Sequence, residues 1–348
     1  EVLIDNRANY SMTHLISMCS LFKMQTGNVP EFVANLAARN PYSPVIEWVK
    51  SKPWDGVDRM PEFLRTVRAK EEELKNTLIT RWMISAVAAA FDPDGIAAQG
   101  ILVFQGAQGS GKTTWFKNLV PTEINKSTGM VRDGVILRLD DKDSVKQACS
   151  HWLVELGEID SSFRKSDHAA LKAFITSNQD VMRLPYARAE SVMPRRTVFF
   201  GSVNQSDYLV DDTGNRRFWT VECQRINAAH DIDMQQVWAQ VYQSMYLSGI
   251  SYHLNTEEQD MLNKGNEARL VTCHVADAIH TELDWDAPQS RWTWLSSRQV
   301  CERVGIDRPT QADCRKARAA ILRANGGQER RTSRNNEHLT PPSKPTAF

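Results

Sequence analysis

Ile101-Leu102-Val103-Phe104-Gln105-Gly106-Ala107-Gln108-Gly109-Ser110-Gly111-Lys112-Thr113 is the stretch from which the architecture can be read. A short apolar run rich in β-formers leads into a glycine loop, and Thr114-Trp115-Phe116-Lys117-Asn118-Leu119 continues with helical character. Strand, glycine loop and helix in that order are what a phosphate cradle requires. Glycines let successive backbone N–H groups turn inward on an anion, and the helix N-terminus adds a favourable dipole. Gly106, Gln108, Gly109, Ser110, Gly111, Lys112, Thr113 and Thr114 are therefore expected to hold ATP, with Lys112 reaching the β- and γ-phosphates and the Thr113 hydroxyl ligating magnesium. An ordinary glycine turn before a helix is the plainer alternative, and the agreement of both flanks argues against it. An α/β P-loop nucleoside triphosphatase core follows from this stretch alone.

Downstream, His151-Trp152-Leu153-Val154-Glu155-Leu156-Gly157-Glu158-Ile159-Asp160 reads as a buried strand with acids towards its carboxyl end. A carboxylate placed there can hold the magnesium shell and polarise the attacking water, and Glu158 is expected in that role. Glu155 lies inside the apolar run, where an unpaired carboxylate is costly, so it requires a cation or a donor. Surface acids are the alternative for both. A second buried strand, Thr197 to Val203, ends at Asn204, whose amide can orient water against the γ-phosphate. Arg216 and Arg217 occupy a turn before a further strand. One of them can stabilise charge on a transferring phosphoryl group, worth about 10³–10⁵ in rate for a true finger. A salt bridge to Asp211 or Asp212 is the other reading. Between these strands, Arg183, Arg188, Arg195 and Arg196 with Tyr186 stand against Glu190 alone, a composition suited to phosphates and base stacking, or to a solvated face.

The 348 residues predict two or three domains at about 100–200 residues each. The composition divides into a helical N-terminal or collar region (1–92), the ATPase core (93–225), a helical extension (226–288) and a winged helix-turn-helix-like domain (289–348). Within the first, Glu71 to Phe91 is a long amphipathic helix in which Arg81 reads as a snorkelling surface arginine. In the last, Ser296 to Gln299 resembles a capping box before Val300 to Val304, and Pro309-Thr310 introduces a second helix over 311–324. From Arg298 to Arg334 ten Lys/Arg face four Asp/Glu, a net of +6, whereas the whole chain balances 42 against 42. That local excess is the footprint of phosphate binding, with Arg315, Lys316, Arg330 and Arg331 expected on a DNA duplex; a small protein-docking domain is the alternative. The six cysteines contain no CxxC pair and read as reduced thiols, neither a disulfide frame nor a zinc site. The sequence carries no signal peptide and no apolar run long enough to span a bilayer, which predicts a cytoplasmic protein with no membrane partner.

With these residues in view, the chain resembles the virulence-associated E family of phage and mobile-element proteins, which is similar to superfamily 3 helicases within the AAA+ group. The specific words are Trp152-Leu153-Val154-Glu155-Leu156-Gly157-Glu158, Leu184-Pro185-Tyr186 and Thr213-Gly214-Asn215-Arg216-Arg217-Phe218-Trp219. The resemblance implies an AAA+-type ATPase and DNA helicase that works as a homo-oligomeric ring, such as a hexamer, with single-stranded DNA in the channel. It implies that the Lys172 to Arg188 region contacts DNA and that Arg216 or Arg217 is the finger, acting on a neighbour's nucleotide. A primase or a loader is an implied partner. An ATP-controlled replication initiator that unwinds nothing is the alternative function. The sequence departs from the superfamily at Glu-Leu-Gly-Glu, where adjacent acids are usual, and at Gly-Ser-Val-Asn, which lacks the threonines common before that asparagine.

Overall fold

A computed structural model describes residues 7–157, 159, 167–182, 191–204, 215–267, 274–332 and 335–344. The chain divides into two compact units, Glu1–Arg269 and Leu270–Phe348.

The first unit starts with helices α1 (Arg7–Leu21), α2 (Val29–Arg39), α3 (Pro44–Lys50) and α4 (Met60–Arg65), strand β1 (Val67–Ala69) and helix α5 (Glu72–Phe91). Then follow β2 (Ile101–Gln105), α6 (Lys112–Lys117), α7 (Thr122–Thr128), β3 (Val131–Val135), α8 (Lys142–Ala148), β4 (Leu153–Leu156) and α9 (Asp167–Ile175). The hairpin strands β5 (Gln179–Met182) and β6 (Ser191–Pro194), the strands β7 (Val198–Val203) and β8 (Phe218–Ile226), and the helices α10 (Met234–Gln240) and α11 (Thr256–Glu267) complete it. Six strands form one sheet in the order β1-β8-β2-β7-β4-β3. The five from β8 to β3 run parallel, and only the edge strand β1 is antiparallel. Near-continuous burial along β2, β4 and β7 is what a parallel sheet covered on both faces demands of its sequence.

The expected N-terminal region does not stand apart from this core. β1 pairs with β8, and α5 buries Leu78, Trp82, Met83 and Val87 against the sheet. α1 and α2 differ, for Leu21, Phe22, Phe32 and Leu36 remain 59–73% exposed there. Arg81 does not snorkel. Its guanidinium donates to Glu258 Oε1 at 2.8 Å and ties α5 to α11, because α11 covers the flank from which the arginine would otherwise reach water.

The second unit contains α12 (His274–Glu282), β9 (Thr293–Ser296), α13 (Ser297–Arg303), α14 (Gln311–Ala324), β10 (Glu329–Arg331) and β11 (Asn336–Thr340). The strands form an antiparallel sheet in the order β10-β11-β9, over a core of Val275, Ile279, Leu283, Val300, Ala317 and Ile321. The expected capping box at Ser296 and Gln299 is formed, and Thr310 with Asp313 forms a second. No helix among the described residues is long and apolar enough to cross a membrane.

Candidate nucleotide-binding site

Strand alternation builds the site. Phe104 is level with Ser202 across the β2–β7 ladder, and Glu155 is level with Phe200 across the β4–β7 ladder. With a side-chain period of two, Leu102, Phe104, Phe200, Ser202, Leu153 and Glu155 share one face. The lower part of that face is apolar: Phe116 of α6 stacks on Phe200 with ring centroids 4.1 Å apart and tilts against Phe104 at 4.5 Å. Towards the carboxyl ends the same stripe turns polar at Glu155 and Ser202, directly beneath the start of α6.

Glu155 is buried, and its partners are those a buried carboxylate requires. The Thr113 hydroxyl donates to its Oε1 at 2.8 Å, the Ser202 hydroxyl donates to the same oxygen at 2.9 Å, and the Gly134 N–H donates to Oε2 at 3.3 Å. The two hydroxyls are themselves 3.2 Å apart. Gly134 reaches the site because β3 loses register against β4 between Arg132 and Val135. Lys117 of α6 fixes that irregular turn through Asp133 at 2.9 Å.

The loop between β2 and α6 turns on Gly109 and Gly111, with φ of +77° and +88°, a region that side-chain-bearing residues rarely adopt. Lys112 is buried beneath it and donates to Gly106 O and Ala107 O at 2.8 Å each and to Asn204 Oδ1 at 3.1 Å. All three ammonium protons are thereby engaged. Burial pulls this ammonium below the ordinary lysine value, opposed by the neighbouring Cys223. The Ser110 hydroxyl is buried with no hydrogen-bond partner among the described residues. Gln108 and Thr114 are exposed.

The structure thus brings together Lys112, Thr113, Glu155 and Asn204, and adds Ser202 and the Gly134 amide, which the sequence reading passed over. Alternation counted from Phe200 would have put Ser202 on the site face; nothing local marks the Gly134 amide. Glu158 lies outside the described residues, as do Arg183, Tyr186 and Arg188. Lys172 falls on α9, and its side chain is not described.

Two expected DNA contacts are turned inward. Arg195 is 1% exposed and donates to both Asp180 oxygens, at 2.6 and 2.5 Å, and to Phe174 O at 3.1 Å. The rings of Phe174 and Phe199 flank its guanidinium at 4.4 and 5.6 Å. Arg196 donates to the carbonyls of Ala89, Ala90, Asp92 and Pro93 and so closes the carboxyl end of α5. Both are bound at the root of the β5–β6 hairpin because acceptors distant in sequence meet them there.

Arg216 and Arg217 lie in a single 3₁₀ turn before β8, whose first residue, Phe218, is level with Ile101 at the amino end of β2. The glycine loop follows the other end of β2. Arg216 is exposed, and the Arg217 Nε is buried without a hydrogen-bond partner among the described residues. Burial, and then Arg216, hold the Arg217 guanidinium below its ordinary value. In the second unit Arg315, Lys316 and Arg331 are exposed, while Arg330 is bound to Glu337 at 2.6 Å and lies over the Trp294 ring.

The family model of the virulence-associated protein E-like domain matches residues 49–271, and the chain belongs to that family. Similar solved structures include the apo structure of the NrS-1 C terminal region (305-718), at 15% identity and TM-score 0.43, covering 84% of this chain and 78% of that one. The A form apo structure of the same region is 14% identical with TM-score 0.45, again covering 84% and 78%. None of the curated proteins matches the sequence.

Proposed function

We propose that this member of the virulence-associated protein E-like family is an ATPase that assembles as a ring of its own copies and separates DNA strands during replication of a phage or mobile element. One observation carries the reading: the phosphate loop with Lys112, Thr113, Glu155 and Asn204 stands at the carboxyl end of the parallel sheet, and Arg216 and Arg217 stand at the amino end. The four steps from Ile101 to Gln105 span about 13 Å at a strand's rise per residue. Neither arginine meets its own chain's phosphate loop across that distance, so a finger from this turn acts on a second copy. The order of motifs that resembles superfamily 3 helicases supports strand separation as the output.

The donor set fits ATP with magnesium. Ser110 offers a buried hydroxyl with no partner among the described residues, and Thr113 with Glu155 offers the hydroxyl and carboxylate oxygens that magnesium takes beside phosphate. Magnesium held there would supply charge neutralisation on the transferring phosphoryl group. Lys112 would hold the phosphate oxygens in place of its loop carbonyls, which would leave Asn204 free to orient a water. In this reading Glu155 takes the magnesium-shell role expected of Glu158, because it is Glu155 that meets Thr113. The second unit orders its elements helix, strand, helix, helix, strand, strand. We assign it as a winged helix that presents Arg315, Lys316 and Arg331 to duplex DNA.

Mixing two inactive chains tests the assembly. Lys112→Ala supplies arginines without a working loop, and the Arg216→Ala/Arg217→Ala double variant supplies the loop without a finger. The arginine variant alone should lose about 10³-fold in ATP turnover and Lys112→Ala about 10²–10³-fold, and the mixture should recover a measurable share. No recovery, with both chains folded and shown to assemble with one another, would exclude a finger in trans. Strand release from a forked DNA that requires ATP and Lys112 then supports the helicase; ATPase and DNA binding without release would make the protein an ATP-controlled initiator.

A further inference from the structure

We infer that Ser202 is a positioning residue that holds the Glu155 carboxylate in place for magnesium, an assignment that rests on the ATPase reading above. Three donors fix Glu155: the hydroxyls of Thr113 and Ser202 on Oε1 and the Gly134 amide on Oε2. In that reading Thr113 alone has a second duty, as a metal ligand. Once its oxygen is directed to the metal, Ser202 and Gly134 are the donors that remain to orient the carboxylate.

Ser202 suits this role for reasons visible in the sheet. β7 is flanked by β2 on one side and β4 on the other, so its backbone is fixed from both edges. The Ser202 side chain projects from the face that carries Glu155, two residues beyond Phe200, whose ring is packed on Phe116. A carboxylate oxygen has room for two donors, so Thr113 and Ser202 share Oε1 without competing. The hydroxyl also answers a departure noted in the sequence. Gly-Ser-Val-Asn lacks the threonines common before the asparagine, yet serine at 202 still presents an oxygen to the acidic residue of the neighbouring strand. Hydrogen bonds behind a metal's own ligands fix the ligand's orientation, and their loss costs about 10–100-fold in metal affinity.

The test is a titration of a fluorescent ATP analogue, with and without magnesium chloride, into wild-type protein, Ser202→Ala and Ser202→Thr. Affinity without magnesium should be the same in all three, which also shows that the loop is folded. The gain in affinity on adding magnesium should fall about 10–100-fold in Ser202→Ala and return in Ser202→Thr. Manganese titrated into the protein with ADP, followed by its paramagnetic resonance signal, should give the same ranking without any turnover. A Ser202→Ala protein with wild-type magnesium dependence overturns the assignment while leaving the ATPase reading intact. Wild-type protein that gains nothing from magnesium overturns the ATPase reading, and the role of Ser202 with it.

Discussion

The glycine-loop end of the sheet and the root of the β5–β6 hairpin both hold a buried cation, yet the two are engaged in opposite ways. The hydrogen-bond acceptors of Lys112 among the described residues include no carboxylate: two of the three are carbonyls of its own loop and the third is the exposed Asn204 amide. Those partners are neutral, and the anionic oxygens of a phosphate make stronger, charge-assisted hydrogen bonds. Arg195 is bound to Asp180 through a bidentate pair, itself buried, with aromatic rings around the guanidinium. Removing that cation from its partner strands a charge in the interior. On the reading proposed above, Lys112, with neutral partners, is the cation available to a ligand, and Arg195, paired with a buried carboxylate, is the structural one.

The sharpest way to break this comparison is at Arg195. Arg195→Ala leaves the buried Asp180 unpaired, and should lower the unfolding free energy of the first unit by about 3–5 kcal/mol in urea. Replacing both partners with apolar residues, Arg195→Met with Asp180→Leu, should restore most of the loss, because no unpaired charge remains. If the single variant unfolds like wild type, the Arg195–Asp180 pair does not hold the root of the hairpin.

Lys112 should behave the other way. Lys112→Ala is expected to lower ATP turnover by about 10²–10³-fold, as loss of one preorganised donor to a reacting group does. Its urea midpoint should stay close to wild type, since the carbonyls it releases lie on a loop open to water. A large loss of stability with turnover retained would reverse the comparison and make Lys112 the structural cation.

What could be read in advance follows the same division. The strand, the loop and Lys112 are local, and so are both capping boxes of the second unit, where four consecutive residues contain the whole interaction. Glu155 was not legible as the partner of Thr113. Its place depends on how far β4 is staggered against β7 and β2, and parallel stagger is set by packing across strands distant in sequence. The same limit applies to Arg195 and Arg196. Counted along the chain, they join a basic cluster with a single acid. In space, Asp180 and the carbonyls ending α5 reach them from residues that the count does not include. Charge density predicted phosphate binding where burial and partners tie down the root of the hairpin. At the glycine loop the backbone follows the sequence, because Gly109 and Gly111 take the positive φ directly.

Each of the two clusters also has a thiol beside it, and the thiols offer the finest test. Burial pushes the Cys149 thiol up to about 12, with Arg195 pulling it down and Asp180, to which it donates at 3.2 Å, pushing it further up. Burial likewise pushes Cys223 up to about 12, against the pull of Lys112 and Lys75. An unfolded thiol loses its proton near about 8.5. Since the folded protein keeps these protons longer, the associated stability is fully present below that value and is lost as pH rises towards 12. The slope is up to about 1.4 kcal/mol per pH unit for each thiol. Urea unfolding between pH 8 and about 10.5 should therefore show a falling free energy, shallower by one thiol's share in Cys149→Ala and again in Cys223→Ala. Lys112→Ala separates the two regions: it removes a cation that favours the Cys223 thiolate, so the alkylation of Cys223 at alkaline pH should slow while that of Cys149 stays as it was. Equal slowing at both cysteines would mean that the substitution loosens or tightens the whole unit, and the two clusters would no longer be independent.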